Sequence, residues 1–385
     1  MPFSMSLISK LPKVGTTIFT VMSQLAAQHG AVNLGQGFPD FEGPEELKRA
    51  LMRHTFEGKN QYAPMTGIAA LREQIAAKCL ACYGHAPDVE AEITVTSGAT
   101  EALYAAIAAV VRQGDEVIVL DPCYDSYEPA IELNGGRAIH VPLRASDFGI
   151  DWQALSDALS PRTRMLLINS PHNPSGAVLE RSDLDQLAAM IRGRDMYLLS
   201  DEVYEHIIFD QRSHASVLAH AELRERAFVV SSFGKTYHIT GWKIGYCVAP
   251  KALSVEFRKV HQYLTFCTFH AAQHALADYM ASGSTHHLEL GAFYQAKRDA
   301  FQSMLVGSRF RLLPVHGAYF QLVDYSAISD QDDQSFARWL TTTAKVAAIP
   351  VSAFCEAAPK QRLVRFCFAK RDETLRAAAD RLLNL

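Results

Sequence analysis

The sequence predicts an α/β protein, with a mostly parallel seven-stranded sheet in a large domain and a smaller α+β domain beside it. Three observations carry that expectation. At 385 residues the chain exceeds what one hydrophobic core usually supports. Its middle alternates short runs rich in Val, Ile, Leu and Tyr with runs of helical period, the pattern of a parallel sheet covered on both faces. After Pro250 that alternation stops and helical pattern takes over.

The strand candidates are 93–96, 117–121, 138–141, 165–169, 197–201, 228–232 and 244–248, each bounded by Gly, Pro, Asp or Ser. Helical patterns at 100–112, 124–134 and 182–192 lie between them. A single long helical stretch is expected over 251–280, then more helix, then strands at 318–323 and 363–368. This divides the chain into a segment 1–45 that joins the small domain, a large domain 46–280 and a small domain 281–385. There is no internal repeat and no low-complexity linker.

Composition narrows the function. With 49% hydrophobic and 20% charged residues the chain is no disordered polymer. A formal charge of −4 without any Lys/Arg-rich run argues against nucleic acid or an anionic membrane as partner. The longest apolar stretch, 102–111, falls far short of the roughly 20 residues a membrane helix needs. Lys10, Pro12 and Lys13 interrupt the N-terminus before it could form a leader's apolar core, so a cytoplasmic protein is expected. Seven scattered cysteines suit buried thiols in a reducing compartment. Cys79 and Cys82 form a C-x-x-C inside a helical pattern with no second pair. His270 and His274 are spaced to share a helix face, but His-Ala-Ala-Gln-His lacks the metalloprotease glutamate and no third ligand stands out. No metal is expected.

In open α/β sheets, ligands bind outside the carboxyl ends of the strands. The distinctive polar residues of this chain fall there: Ser97-Gly98-Ala99-Thr100, Asp121-Pro122-Cys123-Tyr124, Asn169 to Gly176, Ser200 to Tyr204, and Ser231 to Lys235. One Asp ending a strand is usually a helix cap. Five such ends in order point to one site.

These stretches, with Asn33-Leu-Gly-Gln-Gly-Phe-Pro-Asp40, Asn60-Gln-Tyr-Ala-Pro64, Ser231 to Gly245 and Val364-Arg-Phe-Cys-Phe368, resemble fold type I aminotransferases of class I. The similarity is greater to the methionine and kynurenine/glutamine branch, and it covers nearly the whole chain. It implies pyridoxal 5'-phosphate as cofactor, held by Lys235 as a Schiff base. Asp201 would keep the pyridine nitrogen protonated, so the ring can draw electrons from the substrate Cα. Asn173 and Tyr204 would hydrogen-bond the ring's phenolic oxygen, and Tyr124 would stack on its face. The backbone N–H groups of Ala99 and Thr100 open a helix and suit the phosphate, assisted by Ser232 and Lys243. Family members commonly carry arginine where this chain has Lys243, so that contact would be a point charge rather than a fork. A tyrosine matching Tyr62 reaches the phosphate across a dimer interface in the family, which implies a homodimer with composite sites. Gly35-Gln-Gly37 follows no βαβ strand and lacks a third glycine, so NAD is rejected.

Arg365, within an apolar run, is expected to bind the substrate carboxylate and to need an anionic partner. Asn173 and the Gly37 backbone would assist. Gly15 to Met22, which borders the side-chain pocket in relatives, holds Ile18 and Phe19 but no cation. A neutral, fairly large amino donor is therefore expected: methionine first, then aromatic residues, histidine, glutamine or kynurenine, with a 2-oxo acid as acceptor in a ping-pong cycle. The runner-up is a cysteine-S-conjugate β-lyase on the same scaffold. A remote third reading is a non-catalytic sensor of the cofactor, disfavoured by the complete catalytic set.

Overall fold

The computed structural model describes residues 8–385, so the first residues of the stretch read for a leader, and of the segment 1–45, lie outside it. Seven strands form the main sheet: β1 (Ile93–Thr96), β2 (Glu116–Asp121), β3 (Arg137–Pro142), β4 (Thr163–Asn169), β5 (Tyr197–Asp201), β6 (Ala227–Ser232) and β7 (Gly245–Val248). Their spatial order is β1-β7-β6-β5-β4-β2-β3. All neighbours pair parallel except those of β7, which runs antiparallel to both β1 and β6. Each expected strand is present within a residue or two.

Side chains alternate across a strand, and here both faces are dry. Ile118, Leu120, Leu166 and Ile168 enter one core, whereas Val117, Val119, Met165 and Leu167 enter the other. Continuous apolar runs, rather than alternating ones, are what a doubly covered sheet requires. Helix Ala99–Val110 covers one face; Arg181–Ile191 and Ala69–Tyr83 cover the other. Cys79 and Cys82 lie on the last of these, and burial pushes the Cys79 thiol up to about 12.

A second core gathers Met22, Leu34, Tyr294, Phe301, Phe320, Phe336, Phe366 and Leu375. Around it stand β8 (Arg311–Leu312), β9 (Phe320–Asp324), β10 (Ile349–Pro350) and β11 (Leu363–Cys367), an antiparallel sheet of order β10-β11-β9-β8. The N-terminal helix Ile18–His29, capped by Thr17 and ended by Gly30 at φ 59, packs here. Val32–Asn33 then pairs in parallel with Val346–Ala347, so the following glycines run past β11.

One expectation is corrected. The stretch 251–280 is two helices, Lys251–Leu264 and His270–Ala281. Between them Phe266 takes φ 71, a left-handed conformation that costs an aromatic residue energy and cannot continue a helix. Thr268 is held by its hydroxyl contact with Ser97 at 3.1 Å. Apolar periodicity runs through this break because Thr265 to Phe269 carries no Gly or Pro to mark it.

Candidate active site

The polar strand ends meet in a cavity of about 350 Å³ between the carboxyl edge of the sheet and the second core. Lys235, Asp201, Tyr204, Ala99, Thr100, Tyr124, Asn173, Ser232, Lys243, Arg365, Gly37 and Phe19 all line it. Two of the expected residues do not. Ile18 and Phe19 both pack against the second core, but successive helical residues point about 100° apart and only Phe19 also faces the cavity. Tyr62 is 80% exposed, with its ring edge 5.0 Å from the Phe266 ring.

The sheet register places Asn169 beside Asp201 and Ser232 beside Gly245. Asp201 is buried. The Tyr127 hydroxyl donates to its Oδ2 at 2.6 Å, and the Val203 N–H reaches Oδ1 at 3.3 Å. Burial pushes the carboxyl up to about 6, although both donors and the Lys235 charge pull it down. Asn169 donates to the Asp201 carbonyl at 2.9 Å and accepts from the Asn173 N–H at 2.8 Å, tying β4, β5 and the following loop together.

Lys235 sits on a single helical turn, Phe233–Thr236, that opens at the end of β6. Its Nζ donates to the Gly37 carbonyl at 3.1 Å and stands 5.7 Å from the Tyr204 and Tyr319 rings. Burial lowers its ammonium to about 8; the Arg365 and Lys243 charges add to this and Asp201 opposes it. Behind this turn, Glu205 is buried and accepts from Ser231 Oγ at 2.6 Å, Lys78 Nζ at 2.5 Å and Tyr246 Oη at 3.1 Å. That paired network holds the end of β6 from below.

At the other end of the cavity, helix Ala99–Val110 opens from Gly98, whose φ of 80 favours glycine. A Cβ on Gly98 would lie 3.3 Å from Lys243 Nζ. The ammonium therefore hangs over the free N–H groups of the first helical turn, a cradle for an anion. Because β7 is antiparallel, Lys243 just before it returns to the carboxyl edge. Ser232 Oγ accepts from the Gly234 N–H at 3.2 Å, which leaves its hydrogen free to donate.

Arg365, on β11, is 1% exposed. Its Nη1 donates to Asn173 Oδ1 at 2.7 Å and its Nη2 to the Gly35 carbonyl at 2.9 Å, while Nε has no partner. The rings of Phe320, Phe354 and Phe19 lie 4.1, 5.2 and 5.3 Å from its Cζ. The expected anionic partner is not a protein group: among the described residues no carboxylate forms an ion pair with Arg365. Gly37 is needed at the cavity wall, since a Cβ there would meet the Phe320 ring at 3.2 Å.

Several lining residues escaped the sequence reading: Tyr127, Asn169, Gln36, Phe38, Leu103, Val203, Thr240 and Phe320. Asn169 stood within a stretch already marked. Tyr127 carried no sign of its own, because a tyrosine in a helical pattern reads as packing.

The family profile described as aminotransferase class I and II matches residues 29–382. The methionine aminotransferase of Escherichia coli (strain K12) is 57% identical over 377 residues, spanning 98% of each chain. A solved Escherichia coli structure to which a methionine aminotransferase function is assigned superposes with a TM-score of 0.97 at 56% identity, covering 99% of this chain and 100% of that one. Kynurenine–oxoglutarate transaminase 3 of Mus musculus is 32% identical over 401 residues, spanning 96% of this chain and 88% of its own.

Proposed function

The chain belongs to the class I and II aminotransferases, and from that premise we propose that it moves the amino group of a neutral, fairly large L-amino acid, methionine above all, to a 2-oxo acid with pyridoxal 5'-phosphate as cofactor. The observation that carries the substrate reading is the set of cations around the cavity. Lys235, Lys243 and Arg365 are the only ones among the described lining residues. One serves the cofactor aldehyde, one its phosphate and one the substrate α-carboxylate. Among the described residues of one chain no further lining cation is left for a distal carboxylate, whose burial without a partner would be costly. Phe19, Phe38, Leu103, Val203 and Phe320 offer apolar surface instead.

The cavity fits the cofactor in its donor set: a buried amine, a buried carboxylate, and an anion cradle at the Ala99–Val110 helix. When bound, pyridoxal phosphate supplies an aldehyde that takes up the amino group and a ring that draws electrons from the substrate Cα. The protein's part follows from its own groups. Lys235, whose ammonium is lowered to about 8, has a usable fraction of free amine near neutrality and takes the proton from the substrate Cα. Asp201, buried and oriented by Tyr127, would hold the ring nitrogen in its protonated form. Arg365 grips the α-carboxylate with its fork and presents Cα to Lys235; Asn173 Oδ1, already bound to Nη1, sets the guanidinium plane. Phe354 and Phe19 beside it keep water from that contact.

The same reading makes the enzyme a homodimer in the cytoplasm, with Tyr62 reaching the partner's phosphate. What supports this is the exposure of Tyr62, whose ring edge meets only the Phe266 ring among the described residues of the lone chain. No helix among the described residues is long and apolar enough to cross a membrane. The deciding experiment compares kcat/KM for methionine, phenylalanine and aspartate with one common 2-oxo acid. Methionine should lead and aspartate trail by at least tenfold; aspartate matching methionine would overturn the substrate reading.

A further inference from the structure

The His270–His274 pair, which plays no part in transamination, has the construction of a metal site. Both residues lie on helix His270–Ala281, one turn apart, and their Nε2 atoms are 3.1 Å from each other. A cation bonded to both at the usual zinc–nitrogen length of about 2.0–2.1 Å would see them roughly 100° apart, between square and tetrahedral geometry. The second observation concerns orientation. His270 Nδ1 donates to the Gln61 carbonyl at 3.0 Å, which can only accept. In neutral His270 the lone pair is therefore on Nε2, the nitrogen facing His274. Metal-binding imidazoles are held in this way by a hydrogen bond from their other nitrogen.

We propose that His270 and His274 form a binding site for one borderline transition-metal dication, such as Zn²⁺ or Cu²⁺, completed by water. Without metal, His274 Nε2–H donates to His270 Nε2. On binding, that hydrogen bond is replaced by two metal–nitrogen bonds, and His274 moves its proton from Nε2 to Nδ1 through solvent, with no net release. The groups around the pair are His54 and Arg53 on helix Glu45–Phe56, Glu57 just after it, Lys59 and Asp278. Asp278 is already engaged by His54 at 2.7 Å and by Arg53, so it is not a ligand. Mg²⁺ and Ca²⁺, which select oxygen ligands, are excluded by this donor set. Another cluster, Asp121, Cys123 and His140, brings ligand atoms within 4.8 Å of one another. Both Asp121 oxygens there already accept hydrogen bonds, from His140 Nδ1 and from the Glu356 N–H, each at 2.8 Å.

The site is tested on the purified holoenzyme by calorimetric titration with Zn²⁺ alone and by the electron paramagnetic resonance of bound Cu²⁺. One Zn²⁺ per chain is expected, tighter for Cu²⁺, with nitrogen couplings from two imidazoles and no response to Mg²⁺. His270→Ala and His274→Ala should each weaken binding by tenfold or more, and the double variant should lose it. Affinity should fall in acid, because protonated imidazole cannot bind the metal. A double variant that still titrates like the parent, Cu²⁺ spectra without two nitrogens, or no binding at 100-fold excess of Zn²⁺ overturns the assignment. A retained cofactor absorbance band in each variant shows that it is folded.

Discussion

Replacing Arg365 with methionine removes the fork while keeping the length and bulk of an unbranched side chain among Phe19, Phe320 and Phe354. The substrate carboxylate would then enter a pocket whose remaining groups are Asn173 and the Gly35 carbonyl. Leaving one buried charge without its partner costs about 3–5 kcal/mol. At about 1.36 kcal/mol per factor of ten, kcat/KM for methionine should fall between about 150-fold and 5,000-fold. Arg365→Lys keeps the charge but loses the second hydrogen bond. A charge-assisted bond is worth about 1.5–3 kcal/mol, so a loss of roughly 10- to 150-fold is expected. The control is the decarboxylated substrate, 3-(methylthio)propylamine, assayed beside methionine with the same 2-oxo acid. Its low rate should change less than tenfold on either substitution, because it has no carboxylate to lose. Equal losses for amine and amino acid, or a methionine loss below tenfold in Arg365→Met, would refute the carboxylate role.

Lys235→Ala should abolish steady-state turnover yet still bind pyridoxal phosphate, now removable by dialysis; covalent retention after borohydride would place the attachment at another lysine. Asp201→Asn should lower kcat by several orders of magnitude, and a variant within tenfold of the parent would mean that another group sets the ring's charge. The same change has an opposite effect on the cofactor-free protein. The Asp201 carboxyl is raised in the fold, so its destabilising ionisation is absent below about 4, grows as pH rises to about 6, and is complete above it. Denaturation of the cofactor-free chains should therefore find Asp201→Asn more stable than the parent at pH 7.5, by on the order of 2–3 kcal/mol, with the gap closing toward pH 4. Tyr127→Phe removes a donor that holds this carboxyl down, so the acidic limb of the kcat/KM profile should shift to higher pH; an unmoved limb would show that Tyr127 does not act on Asp201. Finally, mixing Tyr62→Phe chains with excess inactive Lys235→Ala chains should raise activity per Tyr62→Phe chain to the parental level, whereas a monomer of full activity in light scattering would end the composite-site reading.

Much of this protein was legible along the chain. The seven main strands stand where buried β-rich runs meet Gly, Pro, Asp or Ser, because a strand covered on both faces is specified by its own residues and their immediate neighbours. Lys235, Asp201, Asn173 and Arg365 were singled out for a different reason: each belongs to a short stretch that resembles the aminotransferase family, and that resemblance implies their roles. Ile18 and Phe19 show where local pattern stops, since only packing decides which of two neighbours on a helix turns toward the cavity. The break at Thr265 to Phe269 was invisible too, because no Gly or Pro marks it and the contact Thr268 makes there is with Ser97, 171 residues away. Tyr127 meets Asp201 across 74 residues, and Arg365 meets Asn173 across 192. Such pairs are fixed by how strands and domains close on one another, and no spacing along the chain encodes that closure. The sequence by itself settled the sheet and its polar edge. Tertiary structure alone decided that Arg365 is buried beside Asn173 and the Gly35 carbonyl, with no carboxylate in an ion pair with it among the described residues.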